Sequence, residues 1–174
     1  VGPEPSIEWL PAAEGNYTIW PNRRIRAIVL HDSEGPFAGM LNWFQNPQSG
    51  VSAHYCIAKT GRIVQMVADE ACAHGARGTL PMLPPWMRAL ANPITSGYSL
   101  SRPNAYCIHI ELELLEEDRD GDFSDQEYES LYVLLKRLER RYNIQHNQRY
   151  ILAHSAIQSD RSDPRGLAWE RVGL

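Results

Sequence analysis

Strand-like and helix-like hydrophobic patterns alternate along this chain, and that alternation restricts the possible folds more than any other feature of the sequence. Residues 25–31 are mostly apolar and β-branched, which predicts a buried strand. Residues 37–44 carry apolar side chains at helical spacing, residues 51–58 and 63–67 read as a hairpin, and residues 105–114 return to strand character. We therefore predict an α/β fold in which a mixed central β-sheet is flanked by α-helices.

The longest predicted helix follows Ser124. Ser124 and Glu127 have the spacing of a capping box, in which each side chain satisfies a free backbone N–H of the first turn. One apolar stripe then continues at helical spacing through Tyr128, Leu131, Leu134, Leu135, Leu138 and Tyr142. We interpret this segment as an ordinary helix that packs on the core, followed by a short strand at residues 149–153.

The length of 174 residues predicts one domain that spans residues 1–174. Residues 1–20 are rich in Pro, Gly and Glu and are predicted to form an N-terminal arm. The first residues include no Met and no signal-peptide pattern, so we expect a processed or excised product. Residues 78–102 form a long loop or insertion, which either rims a functional cleft or is a plain surface excursion.

Composition excludes several classes of function. The net charge of −4 argues against nucleic acid as a partner, and no apolar run is long enough to span a bilayer. The three cysteines, an odd number without a CxxC pair, are read as small buried hydrophobic residues rather than as a disulfide framework. We expect a monomer.

Two of the six histidines stand where predicted strands end. A lone histidine on a strand is more often a hydrogen-bonded structural residue than a metal ligand. His31 and His154, however, both end strands, where side chains face open clefts. Asp163 follows nine residues after His154, and the proline after it favours an extended backbone. Two imidazoles and a carboxylate suit Zn²⁺ with a fourth position left for water.

Glu111 is the candidate general base. It lies in the middle of a predicted strand between apolar neighbours, which is unusual for a carboxylate unless it faces a site. The alternative is that Glu111 and Glu113 form the solvent-facing side of that strand, because period-two alternation places them on the same face. The residue pattern alone leaves both interpretations open.

Taken together, these segments resemble the type-2 class of zinc-dependent N-acetylmuramoyl-L-alanine amidases, a class that includes phage endolysins, cell-wall recycling amidases and peptidoglycan recognition proteins. The resemblance extends from about residue 25 to residue 169, and its blocks occur in family order. They read IVLHDSEG at 28–35, LNWFQNP at 41–47, VSAHY at 51–55, GRIVQMV at 61–67, IHIELE at 108–113, ILAH at 151–154 and SDP at 162–164.

The resemblance implies a role for each matching residue. It makes His31, His154 and Asp163 the ligands of one zinc ion, and Glu111 the carboxylate that activates the zinc-bound water. Arg161 falls where many members carry a lysine that stabilises the oxyanion, and an arginine there keeps the charge but changes its geometry.

The same resemblance predicts substrate contacts and two departures. His54, Tyr55 and His74 are expected to bind substrate or to support the cleft. The family often has Trp-His-Ala-Gly where this chain has Ala-His-Gly-Ala at 73–76. It also has Asp-Pro-Gly more often than the Asp-Pro-Arg-Gly found at 163–166, which should alter the turn after the last ligand.

The implied function is zinc-dependent hydrolysis of the amide between N-acetylmuramic acid and L-alanine in peptidoglycan or a muropeptide. One alternative is a non-catalytic peptidoglycan-binding module of the same fold, and another is an unrelated α/β domain with coincidental histidines. The setting stays open between a phage lysin released from the host cytoplasm, a secreted or periplasmic autolysin and a recycling enzyme.

Overall fold

The computed structural model describes residues 5–91, 94–95, 98–118, 121 and 123–174. Its ten strands are β1 (Ile7–Trp9), β2 (Tyr17–Ile19), β3 (Ala27–Asp32), β4 (Tyr55–Ile57), β5 (Ile63–Gln65), β6 (Ala71–Ala73), β7 (Ile94–Thr95), β8 (Tyr98–Ser99), β9 (Cys107–Leu112) and β10 (Ile151–Ala153) within those ranges. The helices in the same part of the chain are α1 (Phe37–Gln45), α2 (Pro85–Arg88), α3 (Arg102–Tyr106), α4 (Asp125–Tyr142) and α5 (His154–Ile157).

Six of these strands form one central sheet in the order β1-β5-β4-β9-β3-β10. The β4–β5 pair is antiparallel, as expected of a hairpin, whereas β4, β9, β3 and β10 run parallel to one another. Parallel and antiparallel pairs in one sheet, with helices against it, confirm the predicted α/β fold with a mixed central sheet.

One face of the sheet is covered by α4. Alternate residues of the strands, including Ile28, Leu30, Ile108 and Ile110, pack there against the leucines of the helix. The capping box predicted from the sequence is present, because the Ser124 hydroxyl accepts from the Glu127 backbone N–H and the Glu127 carboxylate accepts from the Ser124 N–H. The predicted helix and its first turn are therefore confirmed.

The opposite face of the sheet is covered in two parts. Helix α1 packs over β4 and β5 through Phe37, Met40, Leu41 and Phe44. Leu83 and Met87, from the long segment before β9, pack over Ala27 and Val29 of β3. Near the carboxyl ends of β3 and β9 a cleft is present, and His31 and Glu111 line it.

Residues 1–20 and 78–102, for which no secondary structure was predicted, contain short strands and helical turns. Within residues 1–20, β1 adds a parallel edge strand to the central sheet and β2 pairs with β6 in a separate two-stranded ribbon. Within residues 78–102, a 3₁₀ turn at Leu80–Met82, the short helix α2 and the β7–β8 pair are described, whereas positions 92, 93, 96 and 97 lie outside the described residues. Three-residue strands and single-turn helices carry too little periodicity to be predicted from sequence.

No helix among the described residues combines the length and the apolar character that crossing a bilayer requires. All three cysteines are free and buried, in agreement with their interpretation as small core residues.

Candidate metal centre

The register between β3 and β9 brings the polar residues of both strands to one place. His31 pairs with Glu111 and Val29 pairs with His109 across this parallel pair. His109 and Glu111 are two residues apart and therefore point to the same face of the sheet. Strand β10 pairs with the other edge of β3, so that His154, the first residue after β10, emerges beside His31.

His31, His154 and Asp163 form a compact group of donor atoms. Nδ1 of His31 lies 3.0 Å from Nδ1 of His154 and 3.2 Å from Oδ2 of Asp163, and the remaining pair is 3.0 Å apart. Donors held at about 2.0–2.1 Å in a tetrahedron would lie about 3.3 Å from one another. The three predicted ligands therefore converge as a group that can hold a metal ion.

The protonation states of this group favour cation binding. Burial lowers the pKa of His31, which keeps its ring neutral and its lone pair available. Burial alone would raise the pKa of Asp163, but hydrogen bonds from His154 and His31 outweigh it and hold the pKa below its usual value. Neutral imidazoles and an ionised carboxylate are the forms in which these side chains bind metals.

Glu111 lies beside the donor group, and its pKa is shifted in the opposite direction from that of Asp163. Burial raises the pKa of Glu111 well above its ordinary value, and the nearby carboxylates of Asp163 and Asp32 raise it further. The positive charge of Arg161 acts in the opposite direction. Glu111 also lines the cleft, so its carboxyl borders the space in which a ligand would bind.

The donor group forms the floor of a cleft of about 450 Å³. His31, His154, Asp163 and Glu111 line it, and the exposed Trp43 of α1 stands at its rim. A second cavity of about 630 Å³ continues past His154. Its lining comprises residues such as Tyr17, Thr18, His74, Arg77, Leu100, Ser101, Asn104 and Arg161.

Arg161 and His74 both lie where a ligand in the cleft would meet them. Arg161 is exposed and lines both cavities, as does His74. The His74 ring is held by Thr18 Oγ1, 2.8 Å from its Nε2, and by the Gly50 carbonyl near its Nδ1. Their positions are compatible with the predicted roles, which stay predictions.

His54 and Tyr55 do not line either cavity, so their expected part in binding substrate or supporting the cleft stays a prediction. Tyr55 points to the α4 face of the sheet, where its hydroxyl donates to Asp69 Oδ1 at 2.7 Å. His54 points to the other face but is fully buried behind His109, whose backbone N–H donates to His54 Nδ1 at 3.0 Å. Because successive side chains of an extended chain point to opposite faces, Tyr55 and the preceding His54 lie on opposite sides of the sheet. His54 contacts His109 rather than the cavity.

Comparison with known proteins agrees with this arrangement. A sequence profile described as N-acetylmuramoyl-L-alanine amidase matches residues 21–166. The chain belongs to this family. A curated relative, N-acetylmuramoyl-L-alanine amidase A of Achromobacter lyticus, is 47% identical over 62 residues, which are 35% of this chain and 34% of that protein. The matched segment thus covers about a third of the length of that relative.

Solved structures agree on the fold of this amidase-family chain. A selenomethionine derivative of AmpD matches with a TM-score of 0.68 and 23% identity, over 95% of this chain and 92% of that one. The endolysin amidase LysCS of Clostridium intestinale matches with a TM-score of 0.65 and 16% identity, over 97% and 93%. The catalytic domain of XlyA matches with a TM-score of 0.65 and 20% identity, over 96% of both chains. At such identities the likeness establishes the fold.

Sequence reasoning missed two residues that hold the predicted ligands of this amidase-family chain. His109 Nδ1 lies 3.0 Å from Nε2 of His31. Gln158 Oε1 lies 3.1 Å from Nε2 of His154, and it also accepts from the backbone N–H groups of Arg77 and Gly78. A period-two reading of β9 would have placed His109 beside Glu111, whereas nothing local to Gln158 indicates its role.

A partly buried ion pair was also missed. The Arg165 backbone N–H and guanidinium both donate to Asp32, with contacts of 2.7 Å from the backbone and 2.6 Å from Nη2. Asp32 follows His31, and Arg165 follows Asp163 by two residues. The arginine noted as a departure in the Asp-Pro-Arg-Gly turn therefore joins the two elements that carry these donors.

Proposed function

We propose that this chain hydrolyses the amide bond between N-acetylmuramic acid and L-alanine in peptidoglycan, with one zinc ion held by His31, His154 and Asp163. The observation that carries the proposal is the convergence of these three donors on the floor of a cleft that also contains Glu111. Membership in the amidase family supports the same substrate class.

The donor set fits zinc. Two imidazole nitrogens and one carboxylate oxygen are the ligands of several catalytic zinc sites, which keep a fourth position open. Bound there, zinc would acidify a water molecule and polarise the carbonyl of the scissile amide. The ligands fit because the cleft opens directly above the donors rather than closing around them.

Glu111 is the proposed general base and acid. A carboxylate beside the attacking water takes its proton and later delivers it to the leaving amide nitrogen. A raised pKa suits both steps, because the group must accept a proton and then release it near neutral pH. In this proposal Glu111 faces the site and Glu113 is structural, since the Glu113 carboxylate accepts from the backbone N–H groups of Phe37 and Lys59.

Arg161 and His74 are the proposed contacts to the substrate. The exposed guanidinium of Arg161 at the rim is placed to stabilise negative charge that develops on the carbonyl oxygen. His74, between the two cavities, is placed to contact the glycan or the stem peptide. We further propose that the end of the 78–102 segment, where Leu100 and Ser101 line the second cavity, takes part in substrate binding, that residues 1–174 act as one catalytic domain, and that the chain works as a monomer.

Mass analysis of digested cell walls tests this function. Purified sacculi treated with the zinc-loaded protein should release stem peptides that begin with a free L-alanine amino group and leave intact glycan strands. Chelator-treated protein should release none, and added zinc should restore release. Binding to sacculi without any released peptide would favour the non-catalytic peptidoglycan-binding module instead.

A further inference from the structure

His109 is a fully buried histidine to which the proposed hydrolysis assigns no role. It lies in β9 two residues before Glu111 and has no exposed surface. Its Nδ1 faces Nε2 of His31 at 3.0 Å, on the side of the His31 ring away from the other donors. We propose that His109 is a positioning residue that fixes the tautomer and the ring orientation of His31. This inference rests on the metal site proposed above.

The tautomer argument follows from the atoms that face each other. A neutral imidazole carries one proton, so a ring that offers Nδ1 to a metal keeps its proton on Nε2. Nδ1 of His31 is the atom beside His154 and Asp163, so when a metal replaces the Nδ1 proton, the one ring proton sits on Nε2 and points at His109. His109 Nδ1 is therefore the acceptor, and the proton of His109 is on its own Nε2.

The other nitrogen of His109 gives no separate reason for a histidine at this position. His109 Nε2 is buried and has no hydrogen-bond partner in the part of the chain that is described. A buried N–H without a partner is unfavourable for folding, and an apolar residue would avoid that cost. The contact from His109 Nδ1 to His31 is therefore the interaction that accounts for a histidine here, because Nε2 contributes nothing to stability.

Three contacts hold the His109 ring in this orientation. The ring stacks on His54 with centroids 5.8 Å apart and planes at 11°, and the His109 backbone N–H donates to His54 Nδ1. On another side, a Cβ placed on Gly75 would lie 2.5 Å from the His109 ring. Only a residue without a side chain fits at position 75, so the backbone itself confines the ring. Metal-bound histidines commonly need such a partner to fix their orientation.

Zinc affinity of two variants at this position separates a positioning role from simple packing. His109→Leu keeps an apolar side chain of similar size but removes the acceptor, and we expect zinc to bind about 10–100-fold more weakly. His109→Asn places an amide oxygen near the position of Nδ1 and should recover most of the lost affinity. His146→Leu is the matched control, because His146 bonds to Glu139 and the Val172 carbonyl rather than to the site.

The measurement is competition for zinc against a chelator of known affinity, made on the full chain. Unchanged affinity in His109→Leu, or an equally large loss in a folded His109→Asn, would overturn the proposal. If the unmodified protein takes up no zinc, the metal site itself is wrong, which is a different result from unchanged affinity in the variant.

A second readout needs no substitution. In zinc-loaded protein labelled with ¹⁵N in histidine, NMR should find His31 and His109 both protonated at Nε2 and unprotonated at Nδ1. A proton on Nδ1 of His109 would show that it donates to His31 instead, and the proposal would be wrong.

Discussion

Two carboxylates in the same cleft have their pKa values shifted in opposite directions. Burial raises the pKa of Glu111, and neighbouring carboxylates add to that effect. Asp163 is also buried, but hydrogen bonds from two histidines lower its pKa below the usual value. Two carboxyl groups whose pKa values are shifted in opposite directions commonly have different roles in one active site. Asp163 suits a permanently ionised ligand, and Glu111 suits a group that gains and loses a proton.

The first prediction at the residue scale concerns Glu111. We expect Glu111→Gln to retain one zinc per chain but to lose about 10²–10⁴-fold in turnover, because the amide has no basic oxygen to take the proton. Glu113→Gln is the matched control, two residues along the chain. It should lower the free energy of unfolding while leaving turnover near that of the unmodified protein. Near-normal turnover in Glu111→Gln would contradict the role assigned to that residue.

The second residue-scale prediction concerns pH. Glu111 must be ionised to accept a proton, so activity should fall as pH drops through its raised pKa. The charge of Arg161 lowers that pKa, so Arg161→Met should move the acidic limb of the kcat/KM profile to higher pH. Arg161→Lys, which keeps the charge, should leave the limb in place. A limb that stays fixed in Arg161→Met would show that Arg161 does not influence Glu111.

At the scale of elements, the ion pair between Asp32 and Arg165 joins the end of β3 to the turn that carries Asp163. The Asp32 side chain is 0% exposed and that of Arg165 is 14% exposed. We expect Arg165→Met to lower the free energy of unfolding by about 2 kcal/mol, because it removes the guanidinium that donates to the buried Asp32 carboxylate.

The exposed pair of Arg62 and Glu8 is the control for that experiment. Its two side chains are 49% and 51% exposed. Arg62→Met should cost less than about 1 kcal/mol, since solvent screens this pair. Urea unfolding of both variants gives the comparison. Equal losses would mean that the Asp32–Arg165 pair is no stronger than an ordinary surface ion pair.

Helix α4 begins with a group whose titration opposes folding. Burial raises the pKa of Glu127 to about 7 from an ordinary value of 4.5. The folded protein therefore holds this proton more tightly than the unfolded chain, and stability falls as pH rises from about 4.5 to about 7.

Glu127→Gln tests this pH dependence. The variant keeps an oxygen that can accept the Ser124 N–H but has no charge to bury. At pH 8 it should be more stable than the unmodified protein, by at most about 3 kcal/mol. The difference should shrink towards pH 4.5 and vanish below it, where the carboxyl is protonated in both states. Urea unfolding at the two pH values that gives the same difference at each would contradict this account.

Elements with long local patterns were predictable and short ones were not. Helix α4 has a capping box and several turns of apolar spacing, so its start and its buried face were predicted correctly. Strands β3 and β9 were also predicted, because both are buried apolar runs. Strand β1 has three residues, and its place depends on pairing with β5, more than fifty residues later. Such pairing leaves no local pattern.

At the scale of the whole molecule, site residues that belong to local motifs were predictable, whereas those that depend on strand pairing were not. His31, His154 and Asp163 could be predicted as ligands because each stands at a recognisable position within an ordered set of family blocks, and the structure brings their donor atoms together. The direction of the Tyr55 side chain could not be predicted, because it depends on which face of the sheet β4 presents to α4. His109 was missed because its partner is fixed by the register between β3 and β9.

The most direct test of the whole account is a zinc titration of metal-free protein on purified sacculi. Released L-alanine amino termini are counted against zinc bound per chain. We predict no release without zinc, a linear rise up to one zinc per chain, and no further rise beyond it. Full release by metal-free protein, or none at one bound zinc per chain, would contradict the claim that His31, His154 and Asp163 hold the metal on which hydrolysis depends.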